Sequence, residues 1–159
     1  MHSRIFCLVG NTLTEDEKQS SIENFEDLTE DTVFENLQCV ADYVRDSDDL
    51  DGDIDWLCSF KDIFTHNSDT ISINLNNVNT YLDDKLTELK NIVNEMIDGK
   101  EIYNRDYDIT HLIDDKYSFY FIVDDTYDYY TYDEFLGMLV NQDKPCLEYK
   151  VVKTFDYHF

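Results

Sequence analysis

The 159-residue chain carries 36 Asp and Glu against 12 Lys and Arg, a formal net charge of −24 at pH 7. That balance excludes duplex DNA and anionic membrane as direct ligands, since both are bound chiefly by Lys and Arg neutralising phosphate or headgroup charge, and it favours a cationic partner. A hydrophobic content of 42%, with ten Phe and twelve Tyr, excludes a disordered acidic tail, because burying that much apolar surface offsets the entropy of folding one domain over 1–159.

Taken in chain order, the apolar run 5–9 followed by Gly10 predicts a fully buried opening strand. Thr14-Glu15-Asp16-Glu17 forms a capping box and starts a helix. Val33, Leu37, Val40 and Val44, with Phe34 and Ala41 beside them, recur at helical spacing and predict a second helix with an acidic outer face. Trp56, Leu57, Phe60, Ile63 and Phe64 mark a third helix ending before 66–68. Residues 70–75 alternate, with Ile71, Ile73 and Leu75 on one face, which is the pattern of a half-buried strand.

Val78, Leu82, Leu86, Leu89, Val93 and Met96 then trace a long helix up to Gly99. Residues 117–123 are aromatic and β-branched and read as a strand. A second capping box, Thr131-Tyr132-Asp133-Glu134, launches a short helix through Phe135, Leu136, Met138 and Leu139. Leu147, Tyr149, Val151, Phe155, Tyr157 and Phe159 are expected on one face of a closing strand. The fold class expected is α+β, a small mixed or antiparallel sheet covered by several helices in a single domain.

Cys7, Cys39, Cys58 and Cys146 are widely spaced among apolar neighbours and read as reduced, buried thiols. The N-terminal apolar run is too short for a secretory signal, and no window approaches the roughly 20 apolar residues of a membrane span, so a cytoplasmic protein is expected. Asn, Ile, Tyr and Phe are abundant while Ala and Gly are scarce, an AT-rich coding bias that argues against salt adaptation as the source of the acidity.

The acids concentrate. Between Thr14 and Trp56 sixteen carboxylates face only Lys18 and Arg45, a net of −14 out of −24. Within this run Asp46, Asp48, Asp49, Asp51, Asp53 and Asp55 form a candidate anionic patch for a Lys- and Arg-rich surface. Aligning Gly52 with the invariant sixth position of an EF-hand puts Asp49, Asp51 and Asp53 at positions three, five and seven. Ser47 and Cys58 then fall at one and twelve, where the first carboxylate and the bidentate Glu belong, so no calcium or other metal ligand set is assigned.

A second candidate patch interleaves aromatics with acids: Asp124, Asp125, Tyr127, Asp128, Tyr129, Tyr130, Tyr132, Asp133 and Glu134. Tyr supplies rigid contact area and a hydroxyl at binding hot spots, while Asp pairs with Arg. Asp outnumbers Glu by 25 to 11, and a short side chain with few rotamers suits a preorganised anionic surface. A strand also repeats side chains on one face every ~6.6 Å, near the spacing of successive phosphates, so nucleic-acid mimicry is compatible with the pattern.

Catalysis finds no foothold. His2, His66, His111 and His158 share no metal-ligand spacing with one another or with a cysteine. Four glycines make no phosphate loop, and no Ser or Cys stands in a nucleophile-elbow context. No catalytic residue and no cofactor are therefore assigned.

In length, charge, AT-biased composition and the acidic runs 46–55 and 124–134, the chain resembles small acidic anti-CRISPR proteins of phages and mobile elements of low-GC bacteria. The resemblance implies a non-enzymatic inhibitor acting in the bacterial host cytoplasm, its partner a guide-loaded type II CRISPR nuclease whose basic channel holds guide and target strands. Such an inhibitor either occupies the groove that reads the short DNA motif beside the target or clasps the mobile nuclease domain. The interleaved Tyr and Asp favour the clasp. An immunity protein against a basic nuclease toxin shares this charge logic, and an acidic calcium-binding or structural module is the third reading.

Overall fold

The computed structural model describes residues 1–99, 105–113, 118–124, 128–140 and 146–159, with the backbone alone for Asp106, His111 and Cys146. The chain runs β1 (His2–Gly10), α1 (Glu15–Glu26), α2 (Glu30–Leu37), β2 (Tyr43–Asp46), α3 (Leu50–Cys58), β3 (Phe64–Asn67) and β4 (Thr70–Asn74). It continues through α4 (Leu75–Gly99), α5 (Asp106–Ile113), β5 (Tyr120–Val123), β6 (Tyr129–Thr131), α6 (Tyr132–Leu139) and β7 (Cys146–His158).

The strands form one seven-stranded mixed sheet in the order β3-β4-β7-β1-β5-β6, with β2 also on β7. The β1–β5 pair is parallel and the other pairs are antiparallel. β7 is long enough to serve two neighbours on one edge: residues 146–150 pair with β4, and 155–158 pair with β2. β1 and β7 thus occupy the middle of the sheet. Central placement explains the continuous apolar run of β1, since both of its faces are covered.

Helices lie on both faces, giving an α+β domain of three layers. One core joins Phe6, Leu8, Phe121, Ile71, Ile73 and Val151 of the sheet to Ile54 and Leu57 of α3, Val78 of α4, and Phe135, Leu136 and Leu139 of α6. The other joins Ile5, Cys7, Ile122, Phe155 and Tyr157 to Phe25 of α1 and Val33 and Leu37 of α2. α1 and α6 begin at the two capping boxes read from sequence. In each, the Thr side chain accepts from the third helical N–H and the Glu reaches back to the cap amide.

Besides Leu75, which opens α4 instead of ending β4, three expectations are corrected. The stripe Val33 to Val44 is not one helix: α2 stops at Leu37, the amides of Val40 and Ala41 both donate to the Leu37 carbonyl at 2.8 Å, and Val44 lies in β2. All four of Val33, Leu37, Ala41 and Val44 nonetheless enter the same core. Phe64 likewise follows Phe60 at helical spacing but lies in β3, because Lys61 and Asp62 both adopt positive φ (66° and 53°) and turn the chain.

The third correction concerns β7. Its residues 147–159 do not share one face. The β1–β7 register shifts between Cys7 and Leu8, which pair with Lys153 and Val151, leaving Val152 as the extra residue of a β-bulge. Leu147 and Val151 therefore join the core under α3, α4 and α6, while Phe155 and Tyr157 join the core under α1 and α2. The expected strand position Tyr117 lies outside the described residues.

Candidate functional site

The bulge moves Lys153 onto the α1/α2 side of the sheet. Its Nζ donates to the Leu28 carbonyl at 2.9 Å and pairs with Asp46 Oδ1 at 3.0 Å. It forms the floor of an open cleft of about 390 Å3 lined by Glu26, Asp27, Leu28, Thr29, Glu30, Asp31 and Asp46. The cleft exists because α1 ends at Glu26 and α2 is capped by Thr29, whose side chain accepts from Thr32 N–H. The short link puts the acidic end of one helix against the acidic first turn of the next.

Glu30 is fixed in place, its Oε1 accepting the Asp46 backbone N–H at 2.7 Å and so joining α2 to the end of β2. Five carboxylates less one ammonium leave four negative charges around the cleft. Glu30 and Asp31 are also placed where a helix N-terminus stabilises negative charge. The cleft is open and its walls are anionic, so its chemical competence is to accept cationic side chains.

Beyond Asp46 the acidic surface continues over α3. Asp48, Asp49, Asp51 and Asp55 are exposed; Asp49 caps α3 by accepting the Gly52 N–H at 3.0 Å, and Asp55 pairs with His66 at 2.9 Å. Helix α3 occupies the stretch compared with a calcium loop, and among the described residues no group of three His, Cys, Asp or Glu could hold a metal ion.

Asp53 does not belong to this surface. It is 3% exposed and faces the sheet, one turn from Leu57. There it accepts Thr154 Oγ1 at 2.6 Å and is ion-paired with Arg4 Nε. Arg4 reaches Asp156 Oδ1 at 2.5 Å; Asp156 also takes Arg45 at 2.9 Å and lies 3.1 Å from His2 Nδ1. The Arg4 guanidinium lies 5.2 Å from the centroid of the half-exposed Trp56 ring. A buried ion cluster of this kind contributes little net stability but is costly to break. It fastens the first turn of α3 to β1 and β7, so that Asp48 and Asp51 are displayed outward.

The second predicted patch is mostly consumed by the fold. Tyr132 is fully buried in the core with Phe135 and Phe121, which removes it from any surface. Asp133 accepts Tyr81 Oη–H at 2.9 Å and pairs with Lys85. Glu134 closes the capping box on the Thr131 N–H at 2.9 Å, and Asp124, at φ 52°, accepts the Gly10 N–H at 2.8 Å. Tyr129 and Tyr130 are half-buried, and Asp128 is exposed beside the Tyr130 hydroxyl. Asp125 and Tyr127 lie outside the described residues.

Burial pushes the Tyr129 hydroxyl up to about 12, with Asn36 beside it acting in the opposite direction. Burial, and secondarily the Asp124 charge, also raise Tyr149. On the sheet's α1/α2 side the Cys7 thiol is pushed up to about 12, again by burial. Cys58 is half-buried, whereas Cys39 is exposed, contrary to the expectation of a buried thiol.

Sequence reading had placed Glu26, Asp27, Glu30 and Asp31 only within a charge run. The signal that singles them out is their position on either side of the Thr29 cap. Arg4, Thr154 and Asp156 were also missed; they are polar residues at inward-facing strand positions, where burial demands partners.

Comparison with known proteins finds no matching family model, no similar curated protein and no similar solved structure. No helix among the described residues is long and apolar enough to cross a membrane.

Proposed function

We propose that this protein binds a basic surface of another protein through the acidic cleft between α1, α2 and β2 and the adjoining ridge of α3. The first candidate partner is a guide-loaded type II CRISPR nuclease whose DNA cleavage it blocks. The observation carrying this reading is the cleft: five carboxylates around a single lysine, with Glu30 held by a backbone amide, in a chain of net charge −24. Fixed carboxylates accept Lys and Arg with less ordering cost than mobile ones, and the surrounding charge speeds encounter with a cationic partner.

Of the two patches read from sequence, the 46–55 run contributes the ridge, whereas the Tyr- and Asp-rich segment contributes less, because Asp124, Tyr132, Asp133 and Glu134 serve the fold. The test is co-purification with a guide-loaded type II CRISPR nuclease, followed by DNA-binding and DNA-cleavage assays. A stable complex that binds DNA without cutting it supports clasping of the nuclease domain. Loss of DNA binding supports occlusion of the groove. Absence of a complex removes this partner and turns the search to basic nuclease toxins.

A further inference from the structure

Helix α4 is 25 residues long, about 37 Å at 1.5 Å per residue, yet its buried residues, Leu75 and Val78, both lie at its start. The apolar positions do not stop there. Leu82, Leu86, Leu89, Val93 and Ile97 follow at spacings of four, three, four and four and keep to one side of the helix. α5 lies alongside and α6 touches the helix, but Leu86 stays 63% exposed, Ile97 66%, and Ile113 of α5 61%. Between the two helices Leu82, Leu86, Leu89, Leu112 and Ile113 line an apolar groove of about 280 Å3, with Lys85 and Asp133 also at its wall.

Charge decides the occupant. α4 carries Asp83, Asp84, Glu88, Glu95 and Asp98 against Lys85 and Lys90, and Lys85 is already paired with Asp133. A second copy of this chain would set the same five acids and two lysines of α4 against their own kind, in a molecule whose total charge is −24, and an anionic lipid surface would likewise be repelled. A helix with an apolar stripe between Lys and Arg satisfies both the groove and its rim, in the helix-in-groove mode of recognition.

We propose that the α4–α5 groove receives a basic amphipathic helix of the partner, a contact separate from the acidic cleft and resting on the same reading of a basic partner. Truncated or polar partners that fill the cleft alone then bind more weakly than partners that also present this helix.

The probe is a peptide of Leu and Lys at helical spacing, about 18 residues or five turns long, compared with a scrambled peptide of identical composition. Both are titrated by fluorescence anisotropy, with amide exchange to locate the contact. The expected result is at least tenfold tighter binding of the helical peptide and slowed exchange across 82–97 and 106–113. That preference is lost in Leu86→Asp and kept in Asp27→Lys/Asp31→Lys.

Equal binding of the two peptides overturns the proposal, as does exchange protection elsewhere in the wild-type protein, a readout that needs no variant to fold. A dimer in sedimentation that Leu86→Asp dissolves assigns the groove to a second copy and overturns it too. A protein that ignores both peptides but still captures the nuclease refutes the groove alone; one that binds no basic peptide or protein at all refutes the basic-partner reading with it.

Discussion

Arg4→Met isolates what the buried ion cluster does. The substitution keeps the length and apolar stem of the side chain but removes the one cation shared by Asp53 and Asp156, whose side chains are only 4% and 5% exposed. Asp156 retains Arg45, itself 61% exposed, and Asp53 retains Thr154. Stranding a buried carboxylate costs about 3–5 kcal/mol, a large part of the roughly 5–15 kcal/mol by which a domain is stable. With an m-value of about 2 kcal/mol/M, the urea midpoint falls by about 1.5–2.5 M. Asp48→Asn, an exposed change that relieves like-charge repulsion, shifts it by no more than about 0.25 M. A drop for Arg4→Met below about 0.5 M refutes the argument that this cluster fastens α3 to the sheet.

Glycine offers a contrast within one chain. Gly137→Ala meets no atom of the described residues within 4 Å outside its own helix backbone and raises stability by about 0.5–1 kcal/mol through helix propensity. Gly52→Ala puts its Cβ 2.3 Å from Asp49 Oδ2, displaces the α3 cap, and loses about 1 kcal/mol against that gain; equal gains at both sites in urea titrations contradict the cap geometry. At alkaline pH, Cys7 and Tyr129 ionise more readily once unfolded, since burial pushes both up to about 12 in the folded chain. Their contribution is whole below about pH 8.5, where unfolded Cys begins to titrate, and declines as pH rises toward the folded values. A urea midpoint constant from pH 8 to 11 contradicts that burial, as does iodoacetamide labelling of Cys7 as fast as exposed Cys39.

Local signals were legible: both capping boxes, the buried strand β1 and the stripe of α4 follow from residues within one or two turns of each other. Signals that depend on tertiary placement were not. Val44 and Phe64 fit helical spacing because i+4 periodicity continues through a turn that only backbone conformation reveals, as at Lys61 and Asp62. The bulge at Val152 leaves no mark in composition, yet it reverses the face of half of β7 and puts Lys153 into the acidic cleft.

Among the acids, residue type could not separate Asp51 from Asp53. Helix phase could have done so, because Asp53 stands next to Ile54 and four residues before Leu57, both buried. The same logic places Tyr132 with Phe135, Leu136 and Leu139 in the core instead of on the surface. Charge density located the acidic half of the molecule but not the fold's choice of which carboxylates to keep for itself.

The most direct test of the acidic cleft as docking site measures association rates on immobilised, guide-loaded nuclease at low and physiological salt. It compares the wild type, the cleft variant Asp27→Lys/Asp31→Lys and the equal charge change Asp16→Lys/Asp42→Lys at exposed positions that line neither the cleft nor the α4–α5 groove. Association of the cleft variant is expected to be at least tenfold slower at low salt, with a much smaller effect of the control and a wild-type rate that falls as salt is added. Identical rates for the two variants, or wild-type binding indifferent to salt, would contradict the cleft as the partner's docking site.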